Sequence, residues 1–370
     1  MKILHVINSL ATGGAERLVA AIAPMQRARG HDVSVLLLRG GASIFRAKLE
    51  SAGVPVSDFG AGTSVYSPLH ILRIASVLRR ERFDAVHVHL FPAQYWTALA
   101  ACLPGTGTPR LVTTEHNTEN RRREHAVFRI PDRLIYARYD AATGCSAAAI
   151  GALAKYLGKT GGGEGGGRPK LVSVENGVDL RAFREAIPAE REAIVPAGCD
   201  FLLAQVARFQ EHKDQAALIR ALVKLPAGVH AIFVGDGERR AACERLAAEL
   251  GVAERAHFLG VRTDVPALLK AADVAVLPSH WEGFGLAAVE GMAAGKPVIA
   301  SDVPGLGDVV RGAGLLFPCG DVEALVAAVS QLKNDAAFYA ETAQACSRRA
   351  EDFSIEKTCE AYLDLCAGTA

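Results

Sequence analysis

The stretch SHWEGFGLAAVEGMAAGKPVIAS, residues 279–301, carries two acids, Glu282 and Glu290, on either side of a glycine-rich turn. An apolar run, Val274–Leu277, precedes the turn, and a second run, Val298–Ala300, ends the stretch. Strand, glycine turn, helix and strand in this order are typical of a βαβ unit in a parallel sheet. A helix that begins at such a turn attracts phosphate, so the two carboxylates need another role.

The same alternation of apolar runs and helical stretches continues along the whole chain. In the first half it predicts strands at Ile3–Ile7, Val33–Leu38, Ala85–His89, Leu111–Thr114 and Leu171–Val174. In the second half it predicts strands at Phe201–Val206, Ala231–Val234, Ala256–Leu259, Val274–Leu277, Val298–Ala300 and Leu315–Phe317. Each half therefore reads as a doubly wound, Rossmann-like α/β domain of five or six parallel strands, covered by helices on both faces.

The predicted domain boundaries follow from breaks in this pattern. Residues 176–200 are rich in turn residues, proline and charge and contain no strand, so the first domain is predicted to span 1–180 and the second 181–350. The glycine-rich segment 160–168 resembles a linker, but an apolar strand follows it, and we interpret it as a mobile loop within the first domain. The tail from Ala336 to Ala367 has a helical pattern, with 351–370 treated as a separate C-terminal helix.

Bulk composition excludes several classes of partner. The 370 residues carry a net charge of +1, which gives no global attraction to nucleic acid. The eight cysteines include no Cys-x-x-Cys pair and are interpreted as reduced thiols. The N-terminal apolar run is too short for a signal peptide, and no uncharged apolar run has transmembrane length. The expected location is the cytoplasm, with peripheral contact to the inner face of the membrane left open.

Cations and glycines follow several predicted strands, where ligands bind in open parallel sheets. VARFQEHKDQAAL, residues 206–218, brings Arg208 and Lys213 to one loop, a pattern that suits a diphosphate, although solvated surface charge is an equal alternative. Arg262 lies on a further loop of the same sheet. Near the start, Gly13 and Gly14 precede a helix but lack the GxGxxG pattern, so a nicotinamide dinucleotide is a weak alternative there.

The two acids of the opening stretch suit a sugar nucleotide. Carboxylates accept hydrogen bonds from sugar hydroxyls. Glu282 on the turn could hold a transferred sugar and Glu290 a ribose, with the diphosphate between them on the helix amides. The simpler alternative is a helix-capping acid followed by a solvated acid.

Other candidate sites are weaker. His87 and His89 share one face of a strand and form a formal metal pair, but no third ligand is evident in the sequence. The chain contains no Asp-x-Asp, a motif that can hold a metal–diphosphate complex, and no Gly-x-Ser-x-Gly nucleophile motif. We therefore expect a site without metal or cofactor, in which protein cations stabilise the leaving group.

One segment, residues 119–139, is strongly basic. It contains Arg121, Arg122, Arg123, Arg129, Arg133 and Arg138 among apolar residues, with Glu119, Glu124 and Asp132 offsetting part of the charge. The segment fits either a solvated amphipathic helix or a seat for an anionic membrane surface or a lipid diphosphate acceptor.

The residues of the opening stretch resemble the retaining glycosyltransferases of family four, whose signature is two glutamates separated by seven residues. The resemblance extends to TGGAERLV at 12–19, TEHN at 114–117, ENGVD at 175–179 and VARFQEHKD at 206–214. It covers essentially the whole chain and is most specific in the second half. It implies the GT-B fold, with two Rossmann-like domains facing across a cleft and a C-terminal helix that crosses back to the first domain.

The resemblance also implies roles for individual residues. Arg208 and Lys213 would bind the donor diphosphate, which Gly13 and Gly14 would approach from the first domain. Glu282 would contact the donor sugar and Glu290 the ribose. The turn after Glu282 would contribute its backbone, through Gly283, Phe284, Gly285 and Leu286. Gly260 and Arg262 would meet the base, and His116 would lie beside the sugar and acceptor, with Arg121, Arg122 and Arg123 on the acceptor side.

These features predict transfer of a hexose or N-acetylhexosamine from a nucleoside diphosphate, with UDP expected, to an acceptor hydroxyl with retention. The acceptor would be a saccharide or lipid-linked precursor. A sugar-nucleotide epimerase of similar fold is the alternative enzyme, although the two-glutamate block argues against it. A catalytically silent sugar-nucleotide-binding protein is the alternative outside enzymes.

Overall fold

The computed structural model describes residues 1–11, 13–115, 125–158 and 167–369. They form two compact units, and we call Met1–Gly177 with Ile355–Ala370 unit 1 and Val178–Ser354 unit 2. These divisions lie within four residues of the predicted boundaries at 180 and 350.

Unit 1 is built on a parallel sheet, with seven strands among the described residues, in the order β3-β2-β1-β4-β5-β6-β7. The strands are β1 (Lys2–Ile7), β2 (Asp32–Leu37), β3 (Val56–Asp58), β4 (Ala85–His89), β5 (Arg110–Glu115), β6 (Ala141–Gly144) and β7 (Lys170–Ser173). The apolar runs predicted five of these strands and missed β3 and β6. The three residues of β3 lie at the sheet edge, and the sequence Ala-Ala-Thr-Gly of β6 has little β propensity of its own.

Unit 2 contains a second parallel sheet, in the order β10-β9-β8-β11-β12-β13. Its described strands are β8 (Phe201–Val206), β9 (Val229–Val234), β10 (Ala256–Gly260), β11 (Val274–Leu277), β12 (Val298–Ser301) and β13 (Leu315–Phe317). All six were predicted, because each is a largely apolar run. The inner strands β9, β8, β11 and β12 are buried on both faces of the sheet, whereas the edge strands β10 and β13 are partly exposed.

Helices connect the strands in both units. Those of unit 1 are α1 (Gly14–Ala28), α2 (Ile44–Ser51), α3 (His70–Arg80), α4 (Ala93–Ala101), α5 (Arg129–Tyr136) and α6 (Ala147–Leu157). Those of unit 2 are α7 (Leu180–Arg184), α8 (Gln215–Lys224), α9 (Arg240–Glu249), α10 (Val265–Ala271), α11 (Leu286–Ala293), α12 (Leu306–Val310), α13 (Val322–Asn334) and α14 (Ala336–Ala350). The last helix, α15 (Ile355–Ala367), belongs to unit 1. Among the described residues, no helix is long and apolar enough to cross a membrane.

The C-terminal helix α15 packs on unit 1, as the family resemblance implies. Its buried residues Cys359, Tyr362 and Leu365 join the core between the sheet and α1. Two hydrogen bonds fix its position: Arg110 Nε donates to Leu365 O over 2.6 Å, and Thr358 Oγ1 donates to Glu175 O over 2.9 Å. The tail is therefore two helices with separate partners, since α14 ends at Ala350 and a short 3-10 turn follows.

Candidate functional site

The central feature of unit 2 is the point where its strand order reverses, between β8 and β11. From β8 the chain proceeds to the neighbour on one side, β9, and from β11 to the neighbour on the other side, β12. The loops that leave β8 and β11 therefore diverge and open a crevice at the carboxyl edge of the sheet. In doubly wound sheets this crevice is where ligands bind.

Two predicted site residues meet at this crevice. Lys213, on the loop after β8, forms an ion pair with Glu282, on the loop after β11, through Nζ and Oε1. Ser279 Oγ donates to the same carboxylate oxygen over 3.1 Å. The side chains are 19% and 14% exposed, so the pair is recessed but reachable from solvent. The structure thus brings a cation and an acid from the two motifs together.

Side-chain amides hold the loop after β8. Gln205 Nε2 donates to Lys213 O over 2.8 Å, and Gln215 Nε2 donates to Arg208 O over 2.9 Å. Asp214, with a left-handed φ of 44°, accepts from Ala217 N over 3.1 Å and so caps α8. These bonds fix the backbone on both sides of the cations, so the loop is ordered before a ligand binds.

Arg208 lines an open pocket of about 410 Å³ in unit 2. Gln210, Asp236, Gly237 and Glu238 form the rest of its wall. At Gly237, with φ of 156°, a Cβ would lie 2.5 Å from Phe209 O, so only glycine lets the loops after β8 and β9 pack this closely. The pocket is therefore bounded by both loops.

The turn that begins α11 has the form expected of an anion site. Gly285 caps the helix with φ of 98° in the left-handed region, and a Cβ there would lie 2.7 Å from Leu306 Cδ1. Phe284 is buried and packs edge-on against Phe353, with 5.3 Å between ring centroids. The turn is therefore held on both sides, and the free amides of α11 begin at Leu286.

Glu290 lies on the second turn of α11 and is buried, with 4% of its surface exposed. This excludes the alternative of a solvated helix acid. A carboxylate is seldom buried in this way unless polar or charged partners compensate it. Glu282 before the helix and Glu290 within it thus belong to one strand-to-helix connection.

The predicted base-contacting residues lie further along the sheet. Gly260 ends β10, the edge strand, and its carbonyl accepts from Gly235 N over 2.8 Å. Arg262 forms a bidentate pair with Asp264, at 2.7 and 2.6 Å, so its guanidinium is engaged on its own loop. Neither contact joins this loop to Lys213 or Glu282.

The remaining predicted residues belong to unit 1 or lie outside the described residues. Gly13 is the N-cap of α1 in an extended conformation, with φ of −166°, and Gly14 is the first residue of that helix. His116 and the three arginines Arg121, Arg122 and Arg123 lie outside the described residues.

The structure supplies a third histidine beside the predicted pair. His5 on β1 lies in register with His87 on β4, and one nitrogen from each of His5, His87 and His89 falls within 4.8 Å of the others. The rings are fully buried, and His5 bonds His89 over 3.2 Å and Gln26 over 2.7 Å. Burial lowers the pKa of His5 from 6.5 to about 4, with the Gln26 bond opposing it. The trio could formally hold a metal ion, but its hydrogen bonds also fit a neutral polar network.

Three further residues at the crevice belong to the stretch 279–301, but the sequence did not predict a function for them. Ser279 supports Glu282, while His280 donates its backbone N–H to His212 O over 2.8 Å. The His280 ring lies between Asp214, at 3.3 Å, and Cys319 Sγ, at 3.2 Å. Trp281 stacks on His212. The sequence could have indicated these residues through their position, because they directly precede Glu282.

Comparison with known proteins agrees with this geometry. Residues 12–181 match the family model Glycosyltransferase Family 4, and residues 187–353 match Glycosyl transferases group 1. The D-inositol 3-phosphate glycosyltransferase of Salinispora tropica is 35% identical over 220 residues, which are 53% of this chain and 45% of that protein. The putative glycosyltransferase EpsF of Bacillus subtilis is 28% identical over 319 residues, 81% of this chain and 79% of that protein. The chain thus spans about half the length of the first of these relatives.

Among solved structures, Anabaena HepE in complex with UDP superposes with a TM-score of 0.83 at 24% identity, over the full length of both chains. At this identity the likeness concerns the fold. The two parallel-sheet units and the likeness to HepE show the GT-B fold. Because the two family models together match residues 12–181 and 187–353, the chain belongs to the glycosyltransferases of family 4.

Proposed function

We propose that this protein transfers a hexose or N-acetylhexosamine, with retention, from a nucleoside diphosphate sugar to an acceptor hydroxyl. UDP is the proposed nucleotide, and the acceptor is a saccharide, in a lipid-linked or polysaccharide precursor. The observation that carries the proposal is the Lys213–Glu282 pair at the strand-order reversal of unit 2. UDP bound to HepE, a protein of the same fold, supports the choice of nucleotide.

The donor roles follow from the chemistry of each residue. Arg208 and Lys213 bind the diphosphate together with the amides at the start of α11, where the helix dipole favours negative charge. Lysine has three N–H donors, so Lys213 can keep its bond to Glu282 while it donates to a phosphate oxygen. Glu282 accepts from hydroxyls of the transferred sugar and Glu290 from those of the ribose. Gly260 and Arg262 meet the base.

In the proposed reaction the bond from the sugar C1 to the diphosphate oxygen breaks, the acceptor oxygen attaches to C1 on the same face, and the proton of the acceptor hydroxyl passes to the leaving diphosphate. Glu282 orients the sugar and does not serve as a conventional nucleophile. The main catalytic contribution is stabilisation of the negative charge that develops on the leaving diphosphate, by donors that are already in place.

We propose that no metal takes part in this step. The chain lacks Asp-x-Asp, and the loop after β8 provides two cations at the carboxyl edge where the diphosphate would lie. Protein cations and helix amides then supply the charge that a divalent ion would supply in a metal-dependent enzyme.

Two assays separate this proposal from its alternatives. A thermal-shift screen of nucleotide sugars identifies the donor, because a ligand at one hundred times its Kd adds about 2.7 kcal/mol of apparent stability. Hydrolysis of UDP-glucose and UDP-N-acetylglucosamine without acceptor then distinguishes an enzyme from a silent binding protein. Release of a free epimerised UDP-sugar would favour the epimerase, and the absence of any shift with UDP or UDP-sugars would contradict the donor assignment.

A peripheral contact with an anionic membrane is the second part of the proposal. Helix α5 and the turn before it present Val127, Ile130 and Leu134 to solvent, with 74%, 70% and 65% of each residue exposed. Arg129 and Arg133 lie on the same outer side and are exposed. Asp132 is buried and accepts from Tyr156 OH over 2.7 Å, so this acid does not offset the outer basic charge as its sequence position suggested. Apolar residues bordered by arginines fit the surface of an anionic bilayer.

Co-sedimentation with vesicles tests the membrane contact. The protein should bind vesicles that contain phosphatidylglycerol and should not bind pure phosphatidylcholine. Ile130→Gln should weaken that binding several-fold, whereas Ile187→Gln, at an 84% exposed isoleucine in unit 2, should not. Equal effects of the two substitutions would contradict a specific role for α5.

A further inference from the structure

One large aromatic ring is exposed beside the proposed sugar-binding acid. Trp281 directly precedes Glu282 on the loop after β11, and 48% of its surface is exposed. The chain has one other tryptophan, Trp96, which is partly buried and donates from Nε1 to Val65 O over 2.8 Å. An indole left half in water at a ligand crevice forgoes burial that would stabilise it, so its exposure calls for a functional reason.

Contacts with the loop after β8 hold this ring in place. Trp281 stacks on His212 with 4.7 Å between centroids and 17° between planes. The bond from His280 N to His212 O and the Lys213–Glu282 pair join the same two loops on either side of the stack. Burial, and then the charge of Lys213, lower the pKa of His212 below its ordinary value, which favours the uncharged imidazole under the indole. The two rings therefore form a fixed, flat and neutral surface.

A flat aromatic face beside a carboxylate suits a pyranose. A sugar ring has apolar C–H faces and a polar rim, so an aromatic wall can bury one face while the hydroxyls stay hydrated or bonded. Glu282 is recessed, with 14% of its side chain exposed, whereas Trp281 lies further towards solvent. A sugar held by Glu282 is thus the inner ring, and a sugar on Trp281 is the outer one.

We propose that Trp281, supported by His212, is a stacking subsite for a pyranose ring of the acceptor. The proposal rests on the function proposed above, since it takes Glu282 as the residue that holds the donor sugar. It assigns acceptor recognition in part to unit 2 and gives the acceptor a chemical class: a saccharide with an exposed C–H face, next to the hydroxyl that receives the transferred sugar.

Intrinsic fluorescence tests the subsite on the native chain. The protein is saturated with UDP and titrated with methyl α-glucopyranoside, methyl α-galactopyranoside and methyl 2-acetamido-2-deoxy-α-glucopyranoside, with sorbitol as the acyclic control. At least one pyranoside should shift the emission saturably and sorbitol should not. The shift should vanish in Trp281→Phe, which leaves Trp96 as the one indole. Absence of a shift with every pyranoside, or its persistence in Trp281→Phe, overturns the proposal.

Calorimetry with the same pyranosides separates binding from a structural role. Trp281→Leu, which keeps apolar bulk but no aromatic face, should raise the Kd of the responding pyranoside at least tenfold, and Trp281→Phe less than threefold. The Kd for UDP should change less than twofold in both. A matching loss of UDP affinity would show a structural residue and overturn the subsite.

Two further results decide whether the pyranoside occupies the acceptor or the donor-sugar position, and whether a failure concerns this subsite or the proposed function. With UDP-glucose in place of UDP, the pyranoside shift should persist when it is recorded within the first seconds. Its loss would put the pyranoside in the donor-sugar position and overturn the acceptor assignment. Failure of the wild-type protein to bind UDP contradicts the proposed function, whereas UDP binding without a pyranoside response contradicts this subsite alone.

Discussion

Lys213 and Glu282 are 69 residues apart in the sequence and form one ion pair in the crevice of unit 2. Exposed pairs contribute little to stability, because water screens both charges and two side chains lose freedom. This pair is mostly buried and has Ser279 as a further donor, which fixes the position of the carboxylate. Its value lies in preorganisation: the cation that is proposed to bind phosphate also positions the acid that is proposed to bind the sugar.

At the residue scale the first prediction concerns the diphosphate. Lys213→Ala should reduce turnover by orders of magnitude, and Arg208→Ala more strongly, because one preorganised donor to a leaving group contributes roughly 3 kcal/mol. Steady-state UDP-sugar hydrolysis measures the effect, with circular dichroism to verify the fold. Lys224→Ala, at a more exposed lysine paired with Glu323, is the control and should retain its rate. Near-wild-type rates in both Arg208→Ala and Lys213→Ala would contradict the diphosphate assignment.

The sequence predicted candidate site residues that lie within one local motif. It did not predict contacts between residues that only the fold brings together. Glu282 and Gly285 lie within one block, and that block predicted the turn and its acid. His5 could not be paired with His87 and His89, because register between β1 and β4 is set by the sheet and not by spacing. The contact between Trp281 and His212 likewise depends on two loops from non-consecutive strands.

At the element scale, helix α11 depends on the residue that begins it. Gly285 adopts a left-handed conformation, which costs residues with a Cβ roughly 1–2 kcal/mol. It also packs against Leu306, so a Cβ at this position would have to displace the buried Leu306 side chain. The turn is thereby restricted to glycine for two independent reasons.

Gly285→Ala should therefore destabilise unit 2 by about 2 kcal/mol or more, as the sum of backbone strain and the steric contact. UDP affinity should fall with it, since the amides at the start of α11 would shift. Urea unfolding and calorimetry measure the two effects. Gly251→Ala, with φ of 69° and no atom within 4 Å of the added Cβ, isolates the strain and should cost less. Equal destabilisation by the two substitutions would show that contact with Leu306 is unimportant.

Strands and helices were predictable where their own residue composition determined the secondary structure. Apolar runs predicted all six described strands of unit 2. The four inner strands are buried on both faces and so leave few polar positions, and the partly exposed edge strands β10 and β13 are still mostly apolar. Strand β6 was missed because its four small residues are ordered by their neighbours β5 and β7. The helical tail and its division near residue 350 were predicted, the division through the family resemblance, since helical periodicity alone does not reveal which unit a helix packs on.

At the scale of the whole molecule, the buried histidines make stability dependent on pH. The folded state takes up a proton on His5 only near pH 4, whereas the unfolded chain does so near pH 6.5. Between these values the unfolded state binds more protons, so stability is fully present above pH 6.5 and falls as the pH falls. The rings of His87 and His89 lie against His5, and Tyr362 lies against His87.

His5 alone should therefore remove about 3 kcal/mol of unfolding free energy between pH 7.5 and pH 4. Urea denaturation at several pH values measures this loss. His5→Gln should flatten the dependence, while His125→Gln, at an exposed histidine, should leave it unchanged. Unchanged pH dependence in His5→Gln would show that the histidine cluster does not control acid stability.

The charge balance of the donor site predicts activity without added metal. UDP-sugar turnover should survive EDTA, because Arg208 and Lys213 are proposed to neutralise the diphosphate. The assay compares rates in EDTA, in Mg²⁺ and in Mn²⁺. Loss of activity in EDTA with full recovery on adding either ion would contradict the metal-free proposal.

The central claim, that Glu282 holds the donor sugar and Glu290 the ribose, is tested most directly by calorimetry on Glu282→Gln and Glu290→Gln with UDP and UDP-sugars. Glu290→Gln should weaken UDP itself, because it removes a charged acceptor from hydroxyls present in both ligands. Glu282→Gln should leave UDP affinity nearly unchanged and lose affinity for the UDP-sugar that the thermal-shift screen selects. Equal losses of UDP affinity in the two variants would contradict this division of roles.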